Sequence, residues 1–195
     1  KMSELSDYKY RSIQTIFSED VMAKEKQTII LYHFTSAPHM GKILAAGELS
    51  KGDVPKSNTT GYNAVWFTVK PTVDNTYGML KSNVDKSTVR ITFEFTLPTP
   101  KLYYWKAVAP KIGISNKMYN LLDETSNHTA RDWWIYAGIL PLSMCKSIDY
   151  RINTTSPYEP LDVNGKMAKE WMRKAKNWTQ SFGVPGVTVL PFPSI

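Results

Sequence analysis

The chain has 195 residues, of which 42% are hydrophobic, so it can bury one sizeable core and is too short to require two. Its longest apolar runs fall well short of the roughly 20 residues that a membrane-spanning helix needs, and its first ten residues lack the apolar centre of a secretory signal. A net charge of +7 favours phosphate-rich partners, and a single cysteine excludes an internal disulfide and a multi-cysteine zinc site. These features predict a soluble, cytoplasmic protein without a membrane partner.

The N-terminal part is predicted to form a helical extension, a strand and a helix. Apolar residues recur at helical spacing over residues 4–25, so residues 1–27 form the predicted extension. Residues 27–34 are apolar and β-branched, as in a strand. Ser36 is placed to cap a helix beginning near Pro38, and Gly47 is placed to end it, because glycine tolerates the positive φ of a helix C-terminus.

The middle of the chain combines a polar stretch with two predicted strands. Residues 50–63 are rich in Gly, Ser, Thr and Asn and are predicted to be a long loop. Residues 64–69 are predicted to form the second strand, and residues 74–81 a short helix or turn. Residues 89–95 alternate apolar with polar side chains, which predicts a half-buried strand.

The remaining elements complete a mixed pattern. The predictions are strands at residues 102–105, 133–140 and 145–152, helices at 116–123 and 163–178, and an extended tail at 182–195. The predicted organisation is a core over residues 28–152, preceded by the extension and followed by a basic C-terminal helix and Pro-containing tail over residues 153–195. Short strands outnumber helices, so the predicted class is α+β with mostly antiparallel pairing.

A histidine stands near the end of the first predicted strand, in the run Tyr32-His33-Phe34-Thr35-Ser36. There a side chain can face a cleft while its neighbours hold the sheet. Together with the helix of residues 40–46 and the strand of residues 64–68, this pattern resembles the opening of the ADP-ribosyltransferase superfamily. The resemblance implies a split antiparallel β-sandwich with flanking helices, NAD between its two small sheets, and binding of the nicotinamide-side ribose by His33. The alternative is a structural histidine at a strand edge.

Aromatic residues of the second strand form the next motif. The resemblance implies that one of them, or Tyr77 downstream, stacks on the nicotinamide ring. The alternative is that Trp66 and Phe67 belong to the core; because adjacent strand residues face opposite sides, one can be core while the other lines the cleft. The residues predicted to bind NAD, as a substrate, are Tyr32, His33, Phe34, Thr35, Trp66, Phe67, Thr68 and Tyr77.

An alanine occupies the position where the family pattern expects a carboxylate. In many relatives the strand before a Pro-containing turn reads Glu, three apolar residues and Pro, and the Glu stabilises the oxocarbenium-like transition state. Aligned on Pro141, the Glu position is Ala137. Either the alignment is shifted, which makes Asp132 the leading substitute, or the chain is a binder that has lost catalysis, or the alanine is a deliberate inactivating substitution. We favour the third explanation.

These features together predict an NAD-dependent ADP-ribosyltransferase of toxin or phage-conflict type that modifies a nucleic acid, with RNA favoured over DNA. His33, Asp132 and position 137 are the predicted catalytic positions. The expected partners are RNA or single-stranded DNA as acceptor and an antitoxin or inhibitor protein. No metal is expected, because neither His39 nor His128 has a second ligand at metal spacing.

Three alternatives remain open at this point. The same fold can modify a protein side chain, it can serve as a non-catalytic nucleotide- or nucleic-acid-binding module, or it can perform RNA 2′-phosphotransferase chemistry, although that family relies on more histidines than this chain offers. The C-terminal helix combines basic residues with Trp171 and Trp178, which suits single-stranded nucleic acid. It equally suits an amphipathic helix that docks its tryptophans on the core.

Overall fold

The structure is a computed structural model that describes residues 27–49, 52–55, 60–73, 85–176 and 188–190. The predicted helix or turn at residues 74–81, Tyr77, Trp178 and all but the last residue of the predicted N-terminal extension lie outside the described residues. Among the helices that the structure describes, none combines the length and the apolar character needed to pass through a bilayer.

Strands dominate the described part of the chain. They are β1 (Gln27–Thr35), β2 (Glu48–Leu49), β3 (Gly52–Pro55), β4 (Thr60–Thr68), β5 (Val89–Leu97), β6 (Leu102–Tyr104), β7 (Trp133–Ala137), β8 (Leu140–Pro141), β9 (Cys145–Tyr150), β10 (Glu159–Pro160) and β11 (Thr188–Leu190). The α-helices are α1 (Ala37–Ala46), α2 (Trp105–Val108), α3 (Asn116–Thr125) and α4 (Lys166–Ala175), and single 3-10 turns cover Ala130–Asp132 and Leu142–Met144.

One hydrogen-bonded path joins most of the strands, in the order β10-β9-β5-β1-β4-β7-β6. The pairs along it are antiparallel; β3 adds to β4 antiparallel and β11 adds to β4 parallel. Strands β2 and β8 form a separate two-stranded sheet. The predicted α+β class with mostly antiparallel pairing is therefore confirmed.

The joint between β1 and β4 is the narrowest point of this path. Strand β1 pairs with β5 along its whole length, from Gln27 to Thr35, whereas it pairs with β4 at one position, Tyr32 opposite Thr68. A side chain reinforces the joint, because Nδ1 of His33 lies 2.9 Å from the carbonyl oxygen of Trp66. The predicted site histidine is thus also a structural link between two groups of strands.

The two faces of the sheet carry separate hydrophobic clusters. Because side chains alternate along a strand, β4 sends Phe67 to one face and Trp66 to the other. Met40 and Ile43 of α1 belong to the cluster that contains Phe67, and we call this the α1 face. Trp105 of α2 packs in the cluster on the opposite side, which we call the α2 face.

Helix α4 reaches the sheet through α1. A Cβ atom added to Gly41 of α1 would lie 2.3 Å from the carbonyl oxygen of Trp171, so the two helix backbones approach more closely than any larger residue permits. The Trp171 ring packs edge-on against Tyr150, with 6.1 Å between ring centroids. The docking alternative for Trp171 is therefore the one that the structure shows, and the basic side chains of α4 lie on its outer side.

Several element boundaries differ from the predictions. The region predicted as one loop contains β3 and the first half of β4, which pair with each other from Gly52 opposite Ala64 to Pro55 opposite Gly61. The polar composition of this region did not indicate the hairpin, because the hairpin is stabilised by backbone pairing, which composition does not reflect. Strands β10 and β11 follow β9 without having been predicted, and β11 lies inside the predicted extended tail. Gly47 ends α1 with a φ of 71°, as predicted.

The close contact at Gly41 predicts that an alanine at this position lowers the stability of the protein instead of raising it. Alanine normally stabilises a helix by about 1 kcal/mol relative to glycine. Gly41→Ala is expected to destabilise this protein instead, by about 1–3 kcal/mol, because the new methyl group meets backbone atoms of α4. Urea unfolding followed by circular dichroism measures the change. Gly47→Ala is the control, with a loss of about 1 kcal/mol from its positive φ and no steric contact. A more stable Gly41→Ala protein would contradict the α1–α4 packing.

Candidate functional site

His33 occupies the α1 face of the sheet next to the β1–β4 joint. It pairs opposite Ile91 of β5, and its ring meets Phe67 edge-on at 6.0 Å between centroids. A carbonyl oxygen can only accept a hydrogen bond, so Nδ1 carries the proton in the bond to Trp66 and Nε2 keeps its lone pair. Burial lowers the pKa of His33 to about 4, so the ring is neutral at pH 7. The site thus presents a fixed acceptor nitrogen.

The predicted NAD-binding residues do not share one face. His33, Thr35 and Phe67 lie on the α1 face, as the pairing of β1 with β5 and the two hydrophobic clusters indicate. The other described members, whose strand positions alternate with these, lie on the opposite face: Tyr32, Phe34, Trp66 and Thr68. The eight predicted residues therefore cannot all line one cleft.

Both aromatic candidates of β4 are packed against other rings. Phe67 is buried among Phe93 and Phe95, at centroid distances of 5.4 and 5.9 Å. Trp66 is half-buried between Trp105 and Trp133, at 4.8 and 5.2 Å. The core interpretation of Phe67 is thus supported by its neighbours, and Trp66 faces away from His33.

Ala137 lies on the α2 face at the end of β7. It pairs opposite Ala64, and alternation groups it with Ile135 and Trp133, which belong to the α2-face cluster. The side chain is buried. A carboxylate at this position would therefore face away from His33, into apolar surroundings that disfavour a charge.

Asp132 stands at the other end of β7, in the 3-10 turn just before the strand. It is buried, with 3% of its surface exposed, and one carboxylate oxygen lies 3.9 Å from Nζ of Lys70. Its backbone carbonyl accepts a hydrogen bond from the amide of Val69 at 3.1 Å, which fixes the turn beside the end of β4. Burial together with the charges of Tyr119 and Asp132 raises the pKa of Tyr104, an α1-face residue, to about 12. The Asp132 carboxylate is therefore close enough to Tyr104 to oppose ionisation of its phenol.

His33 and Asp132 flank the same strand from opposite sides. His33 belongs to β1 and Asp132 leads into β7, and both strands are neighbours of β4. Two strand spacings amount to about 10 Å. The acceptor nitrogen of His33 and the buried carboxylate of Asp132 therefore lie on either side of β4, separated by about that distance.

A second histidine, His39, also belongs to the site, although the sequence gave little indication of a functional role for it. His39 in the first turn of α1 is buried, and its Nδ1 shares a 2.7 Å hydrogen bond with the hydroxyl of Ser36. That hydroxyl makes no capping bond to the helix, so Ser36 takes the predicted cap position without the predicted capping role. The pKa of His39 is lowered to about 4 by burial, then by the charges of Lys86 and Lys42 and by His33. The three-residue spacing between Ser36 and His39 was the sequence feature from which this hydrogen-bonded pair could have been predicted.

No family model, curated protein or solved structure matches the chain. Within the described residues, no three His, Cys, Asp or Glu side chains lie close enough together to hold a metal ion. The site is thus characterised by its own geometry, which consists of two neutral imidazoles, nearby lysines and one buried carboxylate.

The two histidines predict a pH dependence of stability. Each has a lower pKa in the folded chain than its ordinary value of 6.5, so the unfolded chain binds more protons between about pH 4 and pH 6.5. Stability is therefore fully present above pH 6.5 and falls as the pH drops towards 4, by up to about 1.4 kcal/mol per pH unit for each histidine. Urea unfolding at a series of pH values measures this slope.

Substitution separates the contribution of one histidine from the rest. His39→Gln is expected to reduce the slope by about half, because one of the two titrating groups is removed. His128→Gln is the control, since His128 is exposed and pairs with Asp123 on the surface. An unchanged slope in His39→Gln would show that His39 is not held neutral.

Proposed function

We propose that this protein is an NAD-dependent ADP-ribosyltransferase that acts on a nucleic acid, with RNA favoured over DNA, as a toxin or phage-conflict effector. The single observation that carries the proposal is the position of His33, a neutral imidazole fixed by its Nδ1 bond to Trp66 at the joint of two groups of strands. Its Nε2 is suited to accept a hydrogen bond from a ribose hydroxyl. The narrow β1–β4 joint is compatible with the split β-sandwich of that superfamily.

In this proposal Asp132 supplies the carboxylate. The bond between the ribose C1′ and the nicotinamide nitrogen breaks, and nicotinamide leaves with the bonding electron pair. The Asp132 carboxylate stabilises the positive charge that develops on the ribose, and a nucleophilic atom of the acceptor then bonds to C1′ and releases its proton to water. Asp132 is preferred to position 137 because it is a carboxylate held beside the end of β4, whereas Ala137 carries no carboxylate and lies on the α2 face.

The basic surface of α4 supports a nucleic acid as the acceptor. Lys166, Lys169 and Arg173 line a surface depression of about 410 Å³ together with Glu170. Glu170 is paired with Arg173 and Lys174, at 2.8 and 3.4 Å, whereas no acidic partner of Lys166 or Lys169 occurs among the described residues. Unpaired lysines on one helix face attract a phosphate backbone. An acidic protein partner is the rival acceptor.

Removing the carboxylate tests the catalytic assignment. Asp132→Asn is expected to lower the rate of nicotinamide release from NAD by about 10²–10³-fold, because transition-state charge loses its stabilisation. The measurement follows labelled NAD into RNA, single-stranded DNA, duplex DNA and a protein extract, with circular dichroism to confirm folding. Glu124→Gln, an exposed acid on α3, is the matched control.

Ala137→Glu is the decisive companion variant. With Asp132 as the carboxylate, Ala137→Glu gains no activity and loses stability, because the new charge is buried. If the Ala137→Glu variant transfers label and the wild-type protein does not, position 137 supplies the catalytic carboxylate and the alanine is an inactivating substitution. Absence of label transfer and of nicotinamide release from every folded variant would overturn the transferase proposal and favour a binding module.

Charge reversal on α4 tests the acceptor. The double variant Lys166→Glu, Lys169→Glu is expected to weaken single-stranded RNA binding and to lower the slope of log K against log salt by about 2, one for each lost phosphate contact. Fluorescence anisotropy at several salt concentrations measures this slope. The control is Lys106→Glu, Lys117→Glu, which makes the same charge change on α2 and α3. Equal losses in both variants would show that only total charge matters.

A further inference from the structure

Two groups of strands meet at the β1–β4 joint, and they are connected differently on the two faces of the sheet. The β1 group comprises β10, β9, β5 and β1, and the β4 group comprises β4, β7 and β6. On the α1 face the hydrophobic cluster crosses the joint, because Phe67 of β4 packs against Phe93 and Phe95 of β5. On the α2 face, none of the described residues of the cluster comes from β1, β5 or β9. Apolar packing therefore joins the two groups on the α1 face only.

The segment that follows β4 is attached to the β4 group. The amide of Val69 donates to the carbonyl oxygen of Asp132, just before β7, at 3.1 Å. Pro71 and Val73 follow within four residues of this anchored position. A side chain of the β1 group that bonds to the carbonyl oxygen of either residue therefore spans the joint.

Two arginines of the β1 group make such bonds. Arg90 of β5 donates from Nη1 to the carbonyl oxygen of Pro71 at 2.8 Å. Arg151, which directly follows β9, donates from Nη2 to the carbonyl oxygen of Val73 at 2.6 Å. Arg90 pairs opposite Phe34, a residue of the α2 face, so its bond lies on the face where no apolar cluster crosses the joint.

Tyr158, just before β10, holds both arginines in place. The centroid of its ring lies 4.3 Å from the guanidinium carbon of Arg90 and 4.7 Å from that of Arg151. Its hydroxyl donates to the carbonyl oxygen of Ser87 at 2.6 Å, and Nε of Arg151 donates to the same oxygen at 3.0 Å. Asp149 of β9 pairs with Arg90 at 3.1 Å. These partners lie in the β1 group or next to its strands, so the arginines are fixed on one side of the joint and reach across to the other.

We propose that Arg90, Arg151 and Tyr158 form a latch that holds the two strand groups together on the α2 face, and that the β1–β4 joint is a hinge. The pivot of the hinge is the packing of Phe67 on the α1 face, beside the hydrogen bond of His33. Release of the two carbonyl bonds lets the groups separate on the α2 face while the shared cluster stays packed. Water can replace hydrogen bonds to carbonyl oxygens but not apolar packing, so the latch opens before the pivot does. The latch does not depend on the proposed function.

Distances between the two groups test the hinge. Double electron–electron resonance measures the separation of spin labels at Thr96→Cys of β5 and Lys117→Cys of α3, two exposed positions, in the whole chain with Cys145→Ser. An intact latch is expected to give one narrow distance distribution. Arg90→Met keeps the length of the side chain, and Arg151→Lys keeps the charge but loses the planar fork. Each is expected to make the distribution at least twice as wide, with circular dichroism to confirm folding.

Tyr158→Phe is the matched control. It removes a hydrogen bond that stays within the β1 group, and it keeps the ring on which both arginines stack. Its distance distribution is expected to keep the wild-type width. Unchanged widths in the folded Arg90→Met and Arg151→Lys proteins, or equal broadening in Tyr158→Phe, would overturn the latch. Arg90 is partly exposed, so Arg90→Met decides the test if Arg151→Lys does not fold.

Discussion

The link between β1 and β4 is the constraint on which the arrangement of the site depends. One backbone pair, Tyr32 opposite Thr68, and one side-chain hydrogen bond from His33 join two groups of strands that are otherwise extensively paired within themselves. The bond needs only a proton on Nδ1, and because burial lowers the pKa of His33 to about 4, the ring is neutral at pH 7 and Nε2 keeps its lone pair. The bond to Trp66 supports the structural alternative raised from the sequence, and it leaves Nε2 of His33 available for the ligand that we propose.

Charge is distributed unevenly around β4. The carboxylate of Asp132 lies on the β7 side with Lys70 near it, whereas the imidazoles and Lys86 lie on the β1 side. Burial makes this separation energetically significant, because interactions between charges strengthen where water is excluded.

Close helix packing connects the basic surface to the same region. Gly41 allows the backbone of α1 to touch that of α4 at Trp171, and α1 also carries His39 and Lys42. The basic outer face of α4 and the histidines are thus joined through one packed pair of helices, and a residue with a side chain at position 41 would push them apart. The distance between the basic face of α4 and the histidines is set by this contact.

The sequence alone determined the class of the fold and many of its elements, since these depend on local periodicity. Alternation in residues 89–95 predicted β5, and Gly47 predicted the end of α1. It did not determine the hairpin of β3 and β4, whose pairing is non-local and whose composition is that of a loop. It also could not decide the face on which Ala137 lies, nor place Lys86 close enough to His39 for its charge to lower the pKa of that histidine. Strand register decided these points, because a shift of one residue moves every side chain to the other face of the sheet.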